Sequence, residues 1–142
     1  MQGRFLGIDY GERRVGLAVS DPMGVTSRGF ETVERPGNDG TVIKRILEVI
    51  EEYSIQRIIL GLPLRTDGEH SEMAARVAEF RERLEEKTSV PIVYQNEQYT
   101  TATANQYLSE RGLYRGKKRK EVIDQLAAEI ILRDYLDDQR LG

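Results

Sequence analysis

Two apolar runs, residues 5–8 and 15–19, flank a polar stretch holding Gly11 and three charged side chains, a pattern that predicts a β-hairpin over residues 4–20. Asp9 sits at the end of the first run, where a carboxylate among apolar neighbours needs a hydrogen-bond partner, an ion partner or a cation. It reads equally well as a turn former or a functional acid. Residues 21–24 form a turn, residues 27–33 return as a third strand with Phe30 inward, and residues 35–40 are a loop. From Thr41 the period changes. Val42, Ile43, Ile46, Leu47, Val49 and Ile50 recur at helical spacing, opposite a charged face. Residues 57–62 are a short continuous apolar run ended by Pro63, as in a central strand covered on both faces.

A polar loop over residues 64–70 leads to Ser71, the expected N-cap of a helix reaching about Lys87 with Met73, Ala74, Val77, Phe80 and Leu84 as its stripe. Residues 91–95 predict a fifth strand that ends at Asn96 and Glu97. Thr100 or Thr101 caps a short helix that stops at Gly112, and residues 121–135 close the chain as a helix whose outer stripe is Gln125, Glu129 and Arg133.

Three hairpin-connected strands followed by helix, strand, helix, strand and helix predict an α/β fold. The expected architecture is one domain over residues 1–142, a mixed five-stranded sheet with three antiparallel strands, then two parallel strands, flanked by helices. Strand four falls beside strand one. The carboxyl ends of strands one and five then share an edge, which brings Asp9 and Glu97 toward each other. Asp124 lies off the polar stripe of the last helix, and Ala127 and Ala128 let that helix approach the sheet. An acid near a helix start also interacts favourably with the helix dipole, so Asp124 has a second explanation.

A length of 142 residues with 39% apolar composition is enough for one core, and the absence of cysteine excludes a disulfide framework and a thiolate metal site. No leading segment reads as a signal peptide and no apolar run approaches membrane-spanning length, so a cytoplasmic location without membrane partners is expected. The net charge of −3 hides an uneven distribution, because residues 111–120 hold six bases and no acid and the remainder carries 15 bases against 24 acids. Tyr114 lies among Arg111, Arg115, Lys117, Lys118, Arg119 and Lys120, combining phosphate-neutralising charge with a stacking face. The same run, residues 111–120, also reads as a solvated loop that Gly112 and Gly116 make mobile.

Residues 7–11 (Gly-Ile-Asp-Tyr-Gly) with 14–21 (Arg-Val-Gly-Leu-Ala-Val-Ser-Asp), 61–64 (Gly-Leu-Pro-Leu) with Asp67-Gly68, 96–101 (Asn-Glu-Gln-Tyr-Thr-Thr) and 124–132 resemble, across nearly the whole chain, the motifs of the YqgF family of pre-16S rRNA nucleases, also called Holliday junction resolvase-like proteins. The resemblance implies a ribonuclease H-like fold, and Asp9, Glu97 and Asp124 as the catalytic, metal-holding acids. Asn96 and Gln98 replace the family's usual Asp and Arg, and Arg65 its common Asn. Oxygen ligands of this kind suit Mg²⁺ or Mn²⁺. The expected function is metal-dependent hydrolysis of RNA, in 5′ processing of precursor 16S rRNA during ribosome biogenesis. The alternatives are a DNA junction resolvase and a non-catalytic RNA-binding assembly factor. His70, the single histidine, reads as solvated.

Overall fold

The computed structural model describes residues 3–63, 68–96, 100–112 and 115–141, with backbone alone for 68–71, 100–102 and 141. Its elements in order are β1 (Arg4–Tyr10), β2 (Arg14–Ser20), β3 (Ser27–Glu34), α1 (Gly40–Tyr53), β4 (Ile55–Leu62), α2 (Gly68–Glu85), β5 (Ile92–Asn96), α3 (Thr100–Arg111) and α4 (Gly116–Leu141). The five strands form one sheet in the order β3-β2-β1-β4-β5. β1 pairs antiparallel with β2 and parallel with β4, and β4 pairs parallel with β5, so the expected mixed sheet is present.

Alternation along the strands sorts side chains between two helical layers. Leu6, Ile8 and Tyr10 of β1, with Ile58 and Leu60 of β4, pack beneath Val42, Ile46 and Val49 of α1 and Val77, Phe80 and Leu84 of α2. Phe5, Ala18, Ile59 and Val93 face the other way, against Ala128, Ile131, Leu132 and Tyr135 of α4. α3 rides on α4 through Ala104, Leu108 and Ile123. Each large apolar side chain fully removed from water contributes roughly 1.5–3 kcal/mol.

α1 ends at Ser54, whose backbone is left-handed (φ 52°, ψ 52°) and whose N–H returns to the Ile50 carbonyl. At its other end Asp39 occupies the N-cap position without capping, and Asn38 Oδ1 accepts the Gly40 N–H at 2.9 Å instead. The Asp39 carboxylate is occupied elsewhere. Buried to 1% exposure, it accepts hydrogen bonds from Tyr10 Oη at 2.6 Å, Arg35 Nε at 2.6 Å and Arg83 Nη1, and so joins β1, the β3–α1 loop and α2. Tyr10 in turn stacks on Phe80 at 4.5 Å.

Three expectations need correction. The last helix begins at Gly116, so residues 117–120 of the basic run are helical and not a loop. α2 begins at Gly68, which puts Ser71 inside the helix and not at its cap. Gln125 and Glu129 do not face solvent. They lie against the edge strand β3, where Glu129 Oε1 accepts the Gly29 N–H at 2.7 Å and the Glu129 carbonyl accepts Ser27 Oγ at 2.9 Å. A helix wheel assigns polar residues to water, but an exposed strand edge offers backbone donors that satisfy them equally well. Among the described residues no helix is long and apolar enough to cross a membrane.

Burial alone would raise the Asp39 carboxyl, but the hydrogen bonds from Tyr10 and Arg35, with the charges of Arg35 and the bond from Arg83, hold it below its ordinary value of 3.8. The folded state therefore binds the proton less well than the unfolded chain, and the stabilisation is complete above pH 4 and lost as pH falls through the depressed folded value. Asp39→Asn should lower unfolding free energy near neutral pH by about 1.5–3 kcal/mol, since it removes a charged acceptor. Urea melts from pH 2 to pH 7 check this: the gap between the two proteins should close toward the acid end.

Candidate active site

Asp9 lies one residue beyond the last β1–β4 pair, Ile8 with Leu60, at the edge where the parallel strands end. Alternation with Phe5 and Gly7 puts its side chain on the α4 face, half-buried. Across the hairpin Asp9 pairs with Gly16, and the backbone of α4 passes directly over that glycine. A Cβ on Gly16 would stand 2.0 Å from the Asp124 carbonyl oxygen and 3.1 Å from the Asp124 Cβ. Gly7 and Gly29 continue the track, with the Leu132 Cβ at 2.8 Å and the Gln125 Cβ at 3.1 Å from where their own Cβ atoms would be. Three strands thus present bare backbone to one helix. The result is that two acids 115 positions apart in sequence share one glycine: Asp9 is the cross-strand partner of Gly16, and the backbone of Asp124 lies over it.

Asp124 is 18% exposed and accepts a hydrogen bond from Arg14 Nε at 2.7 Å. Burial raises its carboxyl above the ordinary value; the hydrogen bond and charge of Arg14 oppose that shift, and the neighbouring Glu121 adds to it. Arg14 opens β2 two residues before Gly16, so it shares the α4 face. Arg14 also lines a cleft of about 280 Å³ together with Arg13, Glu34, Arg35 and Pro36. Arg14 was not singled out by the sequence. Its spacing of two from Gly16 was the available signal, but its partner lies 110 residues away.

Glu97 and Tyr114 lie outside the described residues, as does Arg65; β5 is described up to Asn96. Of the basic run, Lys117 Nζ pairs with Glu34 at 3.0 Å, and Arg119 Nη2 donates to the Asn105 carbonyl and to Ser109 Oγ, tying α4 to α3. Arg111 lies over the Tyr107 ring at 4.3 Å. Arg115, Lys118 and Lys120 are exposed. Gly112 and Gly116, both with φ near +60° (62° and 63°), break the chain between α3 and α4, a backbone state that glycine adopts without the penalty a Cβ imposes.

The family described as "RuvX: Holliday junction resolvase" matches residues 3–138. The chain belongs to the RuvX family. Two relatives carry the name "Putative pre-16S rRNA nuclease": one from Thermoanaerobacter pseudethanolicus is 39% identical over 96% of this chain and 98% of its own, and one from Lachnospira eligens is 40% identical over 96% and 99%. Among solved structures, T. thermophilus RuvC in complex with a Holliday junction substrate superposes with a TM-score of 0.62 at 16% identity, covering 97% of this chain and 96% of that one. The RuvX fold here is therefore the RuvC-like, ribonuclease H-like one that the motifs implied.

The glycine track makes a ranked prediction. Gly16→Ala should destabilise most, since its Cβ would meet rigid backbone and α4 would have to lift; Gly7→Ala should follow, and Gly29→Ala should cost least. Overpacking of this kind costs about 1–3 kcal/mol, and denaturant midpoints of the three variants measure the order. A Gly29→Ala variant less stable than Gly16→Ala would contradict the close crossing.

Proposed function

We propose that the chain is a divalent-metal-dependent nuclease that hydrolyses RNA phosphodiester bonds, with the 5′ region of precursor 16S rRNA as its substrate. The observation that carries this reading is the crossing of α4 at Gly16, which sets Asp124 beside the cross-strand partner of Asp9. Family membership and the names of the relatives supply the substrate.

The donor chemistry fits the metal. Among the described residues no group of three or more histidines, cysteines or acids is placed to hold an ion, so the pair Asp9 and Asp124 needs a third ligand. Glu97, the residue directly after β5, is the one we assign. Three carboxylates with no thiol suit Mg²⁺ or Mn²⁺ over zinc. When bound, such ions activate water for attack on phosphorus and offset charge on the leaving oxygen.

The chain's own residues bind and orient the substrate. α4 starts with Lys117, Lys118, Arg119 and Lys120 and has no acid in its first turn. Cations at a helix amino terminus oppose the dipole, each costing on the order of 0.3–1 kcal/mol. A helix carrying that cost on four successive positions concentrates positive potential where a phosphate backbone would lie, two turns from Asp124. Lys118 and Lys120, exposed, are the direct contacts in this reading; Arg111, Arg115, Lys117 and Arg119 frame the same surface.

A DNA junction resolvase is the second reading, favoured by the fold shared with RuvC; symmetrical cutting of two strands would require a twofold dimer. Incubation of the purified protein with labelled precursor rRNA and with a four-way DNA junction, with Mg²⁺, with Mn²⁺ and with chelator, separates the two. Metal-dependent cutting of RNA alone is expected; cutting of the junction alone transfers the assignment to DNA, and binding without cutting makes the chain an assembly factor.

Substitutions refine the result. Asp9→Asn and Asp124→Asn should abolish cutting while leaving the metal-free fold intact, and Asp124→Glu, which displaces the carboxylate by one methylene, should also cut poorly. If Asp124→Glu cuts as well as the parent protein, Asp124 is a dipole partner and leaves the site.

A further inference from the structure

The bond between Arg14 and Asp124 is more than a structural ion pair. Arg14 Nε donates to Asp124 Oδ2 at 2.7 Å, and among the described residues this is the arginine's one side-chain hydrogen bond. Both Nη groups are left without a hydrogen-bonding partner there, although a guanidinium fork offers four more N–H donors on those two nitrogens. The side chain is 27% exposed and borders the cleft of about 280 Å³ that Arg13 and Arg35 also line. The pair does not use the fork on both carboxylate oxygens, the geometry in which Arg and Asp bind most strongly, so it can be exchanged for a better partner. Here one edge of the guanidinium neutralises Asp124, and the same arginine lines a cleft in which three arginines outnumber the one acid, Glu34.

We propose that Arg14 holds the place of a divalent cation on Asp124 in the substrate-free protein, and passes to a phosphodiester oxygen when nucleic acid enters the cleft. The inference rests on the metal-dependent reading given above. Half-buried Asp124, with Glu121 adding to its negative surroundings, needs a positive partner whether or not an ion is bound. A fixed guanidinium supplies it but repels an incoming divalent ion and occupies one of its ligands. A phosphate group in the cleft offers the two Nη groups a stronger, bidentate partner and adds negative charge near the carboxylates, so both effects favour ion binding. Arg14 is thus a positioning residue that couples ion loading to substrate arrival.

Two equilibrium measurements on the whole 142-residue chain test this, with opposite expected signs. Free Mn²⁺ followed by electron paramagnetic resonance, without RNA, should show Arg14→Gln binding Mn²⁺ at least about fivefold more tightly than the parent, the lower end of usual coupling between sites. Arg14→Lys, which keeps the charge, should stay close to the parent. In chelator, fluorescence anisotropy with a short labelled RNA should show Arg14→Gln binding RNA more weakly. Unchanged or weaker Mn²⁺ binding by a folded Arg14→Gln protein overturns the inference. Should that variant not fold, the Arg14 Nε–H resonance of the parent protein, assigned with Arg14→Lys, decides: it should shift as Mg²⁺ saturates the site, and a resonance that stays fixed overturns the inference. Asp9→Asn distinguishes this failure from failure of the metal reading. Mn²⁺ binding that Asp9→Asn does not weaken removes the metal site itself, and the inference with it; Asp9-dependent binding insensitive to Arg14→Gln removes the inference alone.

Discussion

Close contact between α4 and bare strand backbone is the constraint on which the remaining structure depends. Gly7, Gly16 and Gly29 lie on three adjacent strands, and the helix passes over all of them at distances that no Cβ at Gly16 would allow. Apolar burial supplies the driving force through Ala128, Ile131, Leu132 and Tyr135, and a Cβ on these glycines would hold the helix off the sheet. The glycines set the distance. With the distance set, the two acids follow, because Gly16 is both the residue under Asp124 and the cross-strand neighbour of Asp9.

The opposite face does different work. There α1 and α2 form the larger apolar core, and the Asp39 carboxylate fastens α2 and the β3–α1 loop to Tyr10, the residue immediately after Asp9. The carboxyl end of β1 is therefore held from both sides: by helix backbone against Gly16 above, and by a buried network against Tyr10 below. A carboxylate at the end of a strand keeps its place best on such a mounting.

Strands and core helices were legible in the sequence because short continuous apolar runs in the hairpin and residues 57–62 contrast with the 3.6-residue period of residues 41–50. Asp9 and Asp124 stood out as acids in apolar company, and the small residues Ala127 and Ala128 correctly announced a close helix. What pattern could not provide was the partner of each polar group. Arg14 read as turn charge because its carboxylate lies 110 residues on, and Glu129 read as solvent-facing because nothing local reveals a strand edge beneath it. The start of α4 was obscured for another reason: four bases at a helix amino terminus contradict the usual dipole preference, so local rules favour a loop where the chain is helical.

The contact of Glu129 with β3 also bears on how the sheet ends. β3 is an outer strand, and such strands carry unpaired backbone groups that can template association with another chain. The Gly29 N–H is already taken by the Glu129 carboxylate, Ser27 Oγ is engaged by the Glu129 carbonyl, and Thr32 Oγ1 donates to the Glu121 carbonyl. α4 therefore works as a hem along this border. The same helix that sets Asp124 over Gly16 covers the border along which another strand would add.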